Sequence, residues 1–360
     1  MKSIKLLLKL MFLRISRHLY EKFMLPVNYT VSVTYRCNSR CKTCNIYEKK
    51  CDELNIQEYD KIFKSIGNSA YWITMSGGEP FLRRDLEEII QTIYHRCKPK
   101  IINIPTNGLL CNEIPKRVEA IAKNCPNSNI VINLSIDDIG ARDDAIRGIP
   151  GAYEKALKTY DGLGKIEQCN LNIGIHTVIS KFNVDHFHEI SGTLMDLKPD
   201  SYITEIAENR VELGTMDEDI SPSTMAYSQA IDSLLHIIKN THFSGMNKIT
   251  QTFRIEYYKM VKKLLREKHQ IFRCYAGILS AQIAPDGDIW PCCMKAVNVG
   301  NLKSYNYNFK KLWKKSTLLK EERRIIRKEK CFCPMANASY TNMLMKNSIM
   351  FKAALRLFKK

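Results

Sequence analysis

Three cysteines, Cys37, Cys41 and Cys44, stand in the spacing C-x3-C-x2-C. Three thiolates on one short loop can hold an iron–sulfur cluster and leave its fourth iron without a protein ligand. That vacancy matters, because reactive metal sites keep an open position while structural ones are closed. A structural zinc ion is the competing reading, and it would need a fourth ligand, for which Cys51 is nearest. Towards the C-terminus Cys274, Cys292, Cys293, Cys331 and Cys333 form a second group. Four of these could close a second cluster, or a zinc site, and the fifth would be spare. Cys97, Cys111, Cys125 and Cys169 are scattered and are expected to be core thiols.

Other chemistry-bearing residues fall where strands are expected to end. Ser76-Gly77-Gly78-Glu79-Pro80 combines two glycines, which allow close backbone approach, with a proline that stiffens the exit. Alone it describes an ordinary strand-to-helix turn. Thr106-Asn107-Gly108 and Ser135-Ile136-Asp137 close two further runs, and Arg147 follows in Ala145-Ile146-Arg147-Gly148. His176 and Glu205 are weaker candidates for a substrate cavity, since a lone buried histidine is more often a satisfied core residue.

The elements that must position these groups alternate. Strands are expected at 27–34, 71–76, 100–106, 129–136, 170–179 and 200–205, with helices at 56–66, 85–95, 114–124, 151–163 and 187–197. Such alternation describes a mostly parallel α/β sheet whose reactive groups gather at the C-terminal strand ends. Residues 221–270 are expected to be largely helical. Residues 281–291 should form a hairpin around Pro285-Asp286-Gly287-Asp288, and a basic helix should span about 308–330.

The stretch from Thr34 to Tyr47, with its three cysteines, resembles the cysteine loop of the radical S-adenosylmethionine (SAM) superfamily. Gly77-Gly78-Glu79-Pro80, one βα interval later, resembles that family's GGEP motif. The resemblance implies a partial (β/α)6 barrel. It also implies a 4Fe–4S cluster on Cys37, Cys41 and Cys44, with the amino and carboxylate groups of SAM on the open iron. Gly77, Gly78, Glu79 and Pro80 would face the cofactor's amino group, and Asn107, Ser135, Asp137 and Arg147 are the further expected cofactor contacts. Relatives commonly carry an aromatic residue before the third cysteine. Here that position is Thr43, so Tyr47 is the candidate for the adenine contact.

Residues 283–293, followed by Gly300-Asn301-Leu302, resemble the SPASM/twitch extension of the same superfamily. The resemblance implies Cys274, Cys292, Cys331 and Cys333 as ligands of one auxiliary 4Fe–4S cluster, twitch-like, with Cys292 preferred over Cys293. The implied organisation is an amphipathic helix at 1–26, the barrel at 27–215, a helical connector at 216–272, the auxiliary domain at 273–343 and a second amphipathic helix at 344–360.

The implied activity is reductive cleavage of SAM to a 5′-deoxyadenosyl radical that abstracts a substrate hydrogen, with no residue assigned as catalytic. An external donor such as flavodoxin or ferredoxin would supply the electron, and the auxiliary cluster could accept the second electron of an oxidation. The expected substrate is a small molecule, sugar or lipid-linked compound. A ribosomal peptide is the alternative, although about 26 residues before the first strand are too few for a fused peptide-recognition domain. A non-catalytic iron–sulfur or zinc protein is the opposing class.

The formal charge of +18 lies in three places. Residues 1–25 carry net +5, residues 303–330 net +8 and residues 344–360 net +5, so the remainder is neutral in aggregate. This distribution argues against a nucleic-acid groove, and basic ends that are also apolar point towards an anionic membrane surface. Lys5, Lys9, Arg14 and Arg17 interrupt the N-terminal apolar run, and no uninterrupted apolar stretch of about 18 residues exists to span a bilayer. The reducing cytoplasm, with peripheral attachment to a membrane, is the expected compartment.

Overall fold

Runs rich in isoleucine and valine alternate with amphipathic segments bounded by caps, so strand and helix follow one another through the first half of the chain. In the computed structural model, which describes residues 2–240, 246–329 and 331–358, two helices come first, α1 (Lys2–Ile15) and α2 (Arg17–Phe23). Next come β1 (Asn28–Thr34), α3 (Ile56–Ile66), β2 (Trp72–Gly77), α4 (Leu86–Cys97), β3 (Ile101–Thr106) and α5 (Ile114–Asn124). They lead to β4 (Asn129–Ser135), α6 (Ala141–Arg147), α7 (Ala152–Gly164), β5 (Leu171–Ile179), α8 (Phe187–Asp196) and β6 (Ser201–Ile206). The chain continues through α9 (Thr224–Asn240), α10 (Met246–Glu267), β7 (Ser280–Ile283), β8 (Ile289–Trp290), α11 (Phe309–Lys315), α12 (Thr317–Glu329), α13 (Ala336–Met343) and α14 (Asn347–Phe358).

Local chemistry sets several boundaries. Asn55 and Glu58 form a reciprocal capping box at the start of α3. Ser16 accepts from the Leu19 amide and Ser316 from the Leu319 amide, so each serine starts a new helix. The single helices expected at 1–26 and at about 308–330 are therefore each two. Lys359 and Lys360, part of the expected C-terminal amphipathic helix, lie outside the described residues.

β1 to β6 are parallel and stand in sequence order, giving an open, barrel-like sheet with α3–α5 packed on its core face. The sheet does not end at β1. β7 pairs with it in parallel, from Asn28 opposite Ser280 to Val31 opposite Ile283, and β8 turns back antiparallel on β7. The hairpin expected in a separate cysteine-bearing appendage thus extends the main sheet. The physical reason is the β1 edge, whose unpaired amides and carbonyls β7 covers.

Alternation along each strand divides its side chains between two faces. On β3, Ile102 and Ile104 are buried in the core, while Ile101, Asn103 and Pro105 line a cavity on the opposite face. One apolar core joins β1–β4, β7 and β8 to α3–α5 and α11, with Tyr29 edge-on to Phe309. A second joins β5 and β6 to α8, α9, α10, α13 and α14.

Candidate functional site

The cysteine loop follows β1 and is held by backbone from three other segments. The Gly78 amide donates to the Thr34 carbonyl (2.8 Å) and the Glu79 amide to the Arg36 carbonyl (2.9 Å). A Cβ at Gly77 would stand 2.0 Å from the Thr34 oxygen, and one at Gly78 2.2 Å from the Arg36 oxygen. The two glycines are therefore required by the approach of the β2 turn to the cysteine loop itself. On the other side, the Arg40 and Lys42 amides donate to the Arg147 and Ile146 carbonyls, both at 2.9 Å, and Gly148 has no room for a Cβ against the Arg40 oxygen. The Asn45 amide donates to the Leu213 carbonyl (2.9 Å).

Glu79 is buried and spans two strand ends. Its carboxylate accepts from the Phe81 amide (3.1 Å), the Thr106 hydroxyl (2.9 Å) and the Asn107 amide (2.7 Å). Burial pushes its carboxyl up to about 7, against the pull of those three donors and of Arg117. Asn107 in turn donates from Nδ2 to Asn38 (2.8 Å) and lies 3.9 Å from the Cys37 sulfur. Glu79 is thus a positioning residue, fixing Asn107 beside the loop.

Arg147 is buried where its guanidinium meets Asp137 (3.2 Å), Asp143 (3.7 Å) and the Cys41 sulfur (3.7 Å). Burial works against its charge, but Asp137, Cys41 and Asp143 outweigh it and hold the guanidinium charged. Asp137 also accepts from the Val178 amide (2.8 Å), tying the end of β4 to β5. Burial pushes the Cys37 thiol up to about 11 and the Cys44 thiol up to about 12.

Cys37, Cys41 and Cys44 all line one cavity of about 660 Å³. Gly77, Gly78, Glu79, Asn107, Ser135, Asp137 and Arg147 share that lining, and so do Thr43 and Ile46. Two expected contacts do not. Pro80 is buried at the start of a short 3-10 turn, and Tyr47 carries the Arg40 guanidinium over its ring at 4.3 Å instead of facing the cavity. Cys51 does not line the cavity either. Among the described residues no three His, Cys, Asp or Glu side chains gather closely enough for a single metal ion, whereas a cube of irons takes each thiolate on a separate corner. The donor chemistry fits such a cluster: three thiols at one end of a cavity, with a charged arginine and backbone amides beside them.

Of the second cysteine group, Cys292 and Cys293 line the same cavity. Burial pushes the Cys274 thiol up to about 12, and Cys331 and Cys292 push it the same way. Cys333 is likewise raised by burial and by Cys292 and Cys274, so these four thiols lie within electrostatic range of one another. Cys293 turns elsewhere, to Met335 (3.6 Å) and towards Glu212 and Arg210.

The same lining carries a buried polar array, of which the sequence pointed only to His176 and Glu205. His176 meets Glu205 at 3.5 Å, and the Arg210 guanidinium meets Glu205 at 3.3 Å and Glu208 at 3.0 Å. Burial raises the Glu205 carboxyl, but His176 and Arg210 outweigh it and hold it at about 2. Burial pushes Glu208 up to about 7. Glu212 bonds to Gln282 of β7. Glu208, Arg210 and Glu212 follow β6 in a loop, and their only sequence signal was the charge run Glu208-Asn-Arg-Val-Glu212 after a strand.

Comparison with known proteins adds family information. The model of the radical SAM superfamily matches residues 31–194, and that of an iron–sulfur cluster-binding domain, SPASM, matches residues 274–334. A pre-heme d1 synthase of Dinoroseobacter shibae is 29% identical over 163 residues, covering 44% of this chain and 38% of the relative. The antilisterial bacteriocin subtilosin biosynthesis protein AlbA of Bacillus subtilis is 24% identical over 82% of this chain and 62% of its own length. The chain thus spans less than two thirds of either relative. Among solved structures, native anSMEcpe with bound AdoMet and Cp18Cys peptide shares the fold, with a TM-score of 0.61 over 92% of this chain and 98% of that one at 15% identity.

Proposed function

We propose that this chain, which belongs to the radical SAM superfamily and carries a SPASM domain, binds SAM at the Cys37–Cys41–Cys44 end of its cavity and removes a hydrogen atom from a substrate held further along it. When bound, the cluster and SAM supply a 5′-deoxyadenosyl radical that takes the substrate hydrogen. Cys37, Cys41 and Cys44 hold three irons. The Gly77–Glu79 backbone, Asn107, Ser135 and the Asp137–Arg147 pair surround the cofactor. Glu79 keeps Asn107 in place. Cys274, Cys292, Cys331 and Cys333 would hold one auxiliary cluster, to which the second electron of an oxidation would pass.

The observation that carries this reading is the single cavity. Its lining includes the three loop thiols, Cys292 and Cys293, and the polar side chains of His176, Glu205, Glu208 and Arg210. Such a polar lining suits a substrate with hydrogen-bonding groups, and we favour a small molecule, a sugar or a lipid-linked compound. A lipid-linked substrate would be met at a membrane surface, and the basic apolar ends support that peripheral placement. No helix among the described residues is long and apolar enough to cross a membrane. A peptide substrate is the second reading, favoured by the relative that serves subtilosin biosynthesis and by the peptide bound in the structural neighbour. The reaction needs an external reductant such as flavodoxin or ferredoxin.

Anaerobic reconstitution followed by an iron count and assay for 5′-deoxyadenosine tests the proposal. About eight irons per chain support two clusters and about four support one. Absence of 5′-deoxyadenosine from a reduced, iron-loaded protein would overturn it.

A further inference from the structure

Outside the cavity, the largest unexplained feature lies where α1, α2 and α14 meet. Leu10 and Leu13 are buried against Tyr20, Leu279 and the residues that enter α14. Leu8, Met11 and Ile15, at i, i+3 and i+7, share the opposite face of α1 and are exposed, Ile15 by 81%. Leu19 and Phe23 of α2 and Phe351 of α14 are exposed as well. Large apolar side chains left in water on adjoining helices are not ordinary surface scatter.

The same junction holds a concave pocket of about 350 Å³, in which Arg14, Arg17, Arg273 and Asn347 gather beside Tyr275 and Met345. Compensation is sparse. Arg17 pairs through Nε with Glu21, while its Nη1 is buried without a hydrogen-bond partner among the described residues. Arg14 donates to the Leu344 carbonyl (3.2 Å), a neutral acceptor. Arg323 on α12, outside the pocket lining, is influenced by Glu21 and by Arg17; its Nε donates to the Gly277 carbonyl (2.6 Å) and its Nη2 is buried and unpartnered among the described residues. Asn347 opens α14, a helix of 12 residues whose positive end faces the same place.

We infer that this junction is a docking surface for an anionic phospholipid bilayer, with a lipid phosphate in the three-arginine pocket and the exposed α1 face among the acyl chains. Guanidinium groups bind phosphate through paired donors, and Arg14, Arg17 and Arg273 share one pocket lining. A free phosphate would explain the arginines but not the exposed leucine, methionine and isoleucine. A bilayer of anionic lipid answers both features, since an interfacial helix buries its apolar face among the lipid chains and keeps its basic side chains at headgroup level. The inference deepens the peripheral placement proposed above and does not depend on the radical chemistry.

Co-sedimentation of the full chain, clusters loaded, with phosphatidylcholine vesicles and with vesicles containing phosphatidylglycerol tests it. The protein should pellet with the second kind and be released as salt rises. Arg14→Gln with Arg17→Gln should weaken binding to the anionic vesicles by roughly fivefold for each arginine removed. Leu8→Ser with Ile15→Ser should reduce vesicle binding with the charge preference retained. Equal binding to both vesicle types would overturn the lipid-phosphate assignment. No binding by protein that is folded by circular dichroism would overturn the surface altogether. Release by inorganic phosphate, but not by chloride at the same ionic strength, would identify a free phosphate site and overturn it as well. Formation of 5′-deoxyadenosine in solution should be unchanged in both double variants. Loss of that activity in the unsubstituted protein would sink the proposed function and leave the membrane result standing.

Discussion

The two cysteine groups differ in how they are assembled. The first is local: one loop of a few residues carries Cys37, Cys41 and Cys44, and backbone bonds from 77–79, 146–148 and 213 hold that loop from outside. The second gathers Cys274, Cys292, Cys331 and Cys333 from three separated segments, brought together by β7 joining the sheet and by α12 delivering the last pair. A local site depends on its loop and its braces. A dispersed site depends on the fold around it.

The largest effect should come from the loop itself. Cys41→Ala should abolish 5′-deoxyadenosine formation and remove about four irons per chain, measured by colorimetric iron assay. Breaking a brace without touching a thiol should come next. Gly77→Ala puts a Cβ 2.0 Å from the Thr34 oxygen at a φ of +122°, and should cost on the order of 3 kcal/mol in urea unfolding while lowering iron retention at the first site. A stable, fully loaded Gly77→Ala protein would show that the brace is dispensable.

The dispersed site sharpens the contrast. Cys292→Ser should lower iron from about eight to about four per chain yet keep SAM cleavage, whereas Cys293→Ser should keep all of it. Reversed outcomes would make Cys293 the ligand. The smallest effect concerns Glu205, whose carboxyl His176 and Arg210 hold at about 2 against the upward push of burial. A carboxyl depressed in the folded state stabilises it above the ordinary value near 4.5 and loses that contribution as pH falls from there towards 2. Glu205→Gln should therefore flatten the fall in the urea midpoint across that window. An unchanged acid profile would show that the pair contributes nothing.

Much of the framework was legible in the sequence because its signals are local. The six parallel strands fall within a residue or two of their expected positions, since isoleucine-rich runs bounded by glycine, proline and asparagine leave few alternatives. The helix breaks at Ser16 and Ser316 had a signal, a capping serine before a new amphipathic run, that was outweighed by continuous basic and apolar periodicity. The direction of Tyr47 had none. Its ring pairs with Arg40, and only the folded loop decides whether an aromatic three residues past a cysteine faces inward or outward.

By itself the sequence determined the three-thiol loop, the glycine turn after β2 and the strand-end positions of Asn107, Ser135 and Asp137, because spacing along a short loop or strand is a property of the chain. Tertiary structure decided what those features do to one another. It packed the two-glycine turn against the cysteine loop, set Arg147 between two aspartates and Cys41, carried β7 onto the β1 edge, and brought Cys292 and Cys293 to the cavity that the three loop cysteines line. The reason is physical. Close backbone approach, charge pairing in a dry interior and the closing of a sheet edge act between segments far apart in sequence, and only the fold brings those segments together.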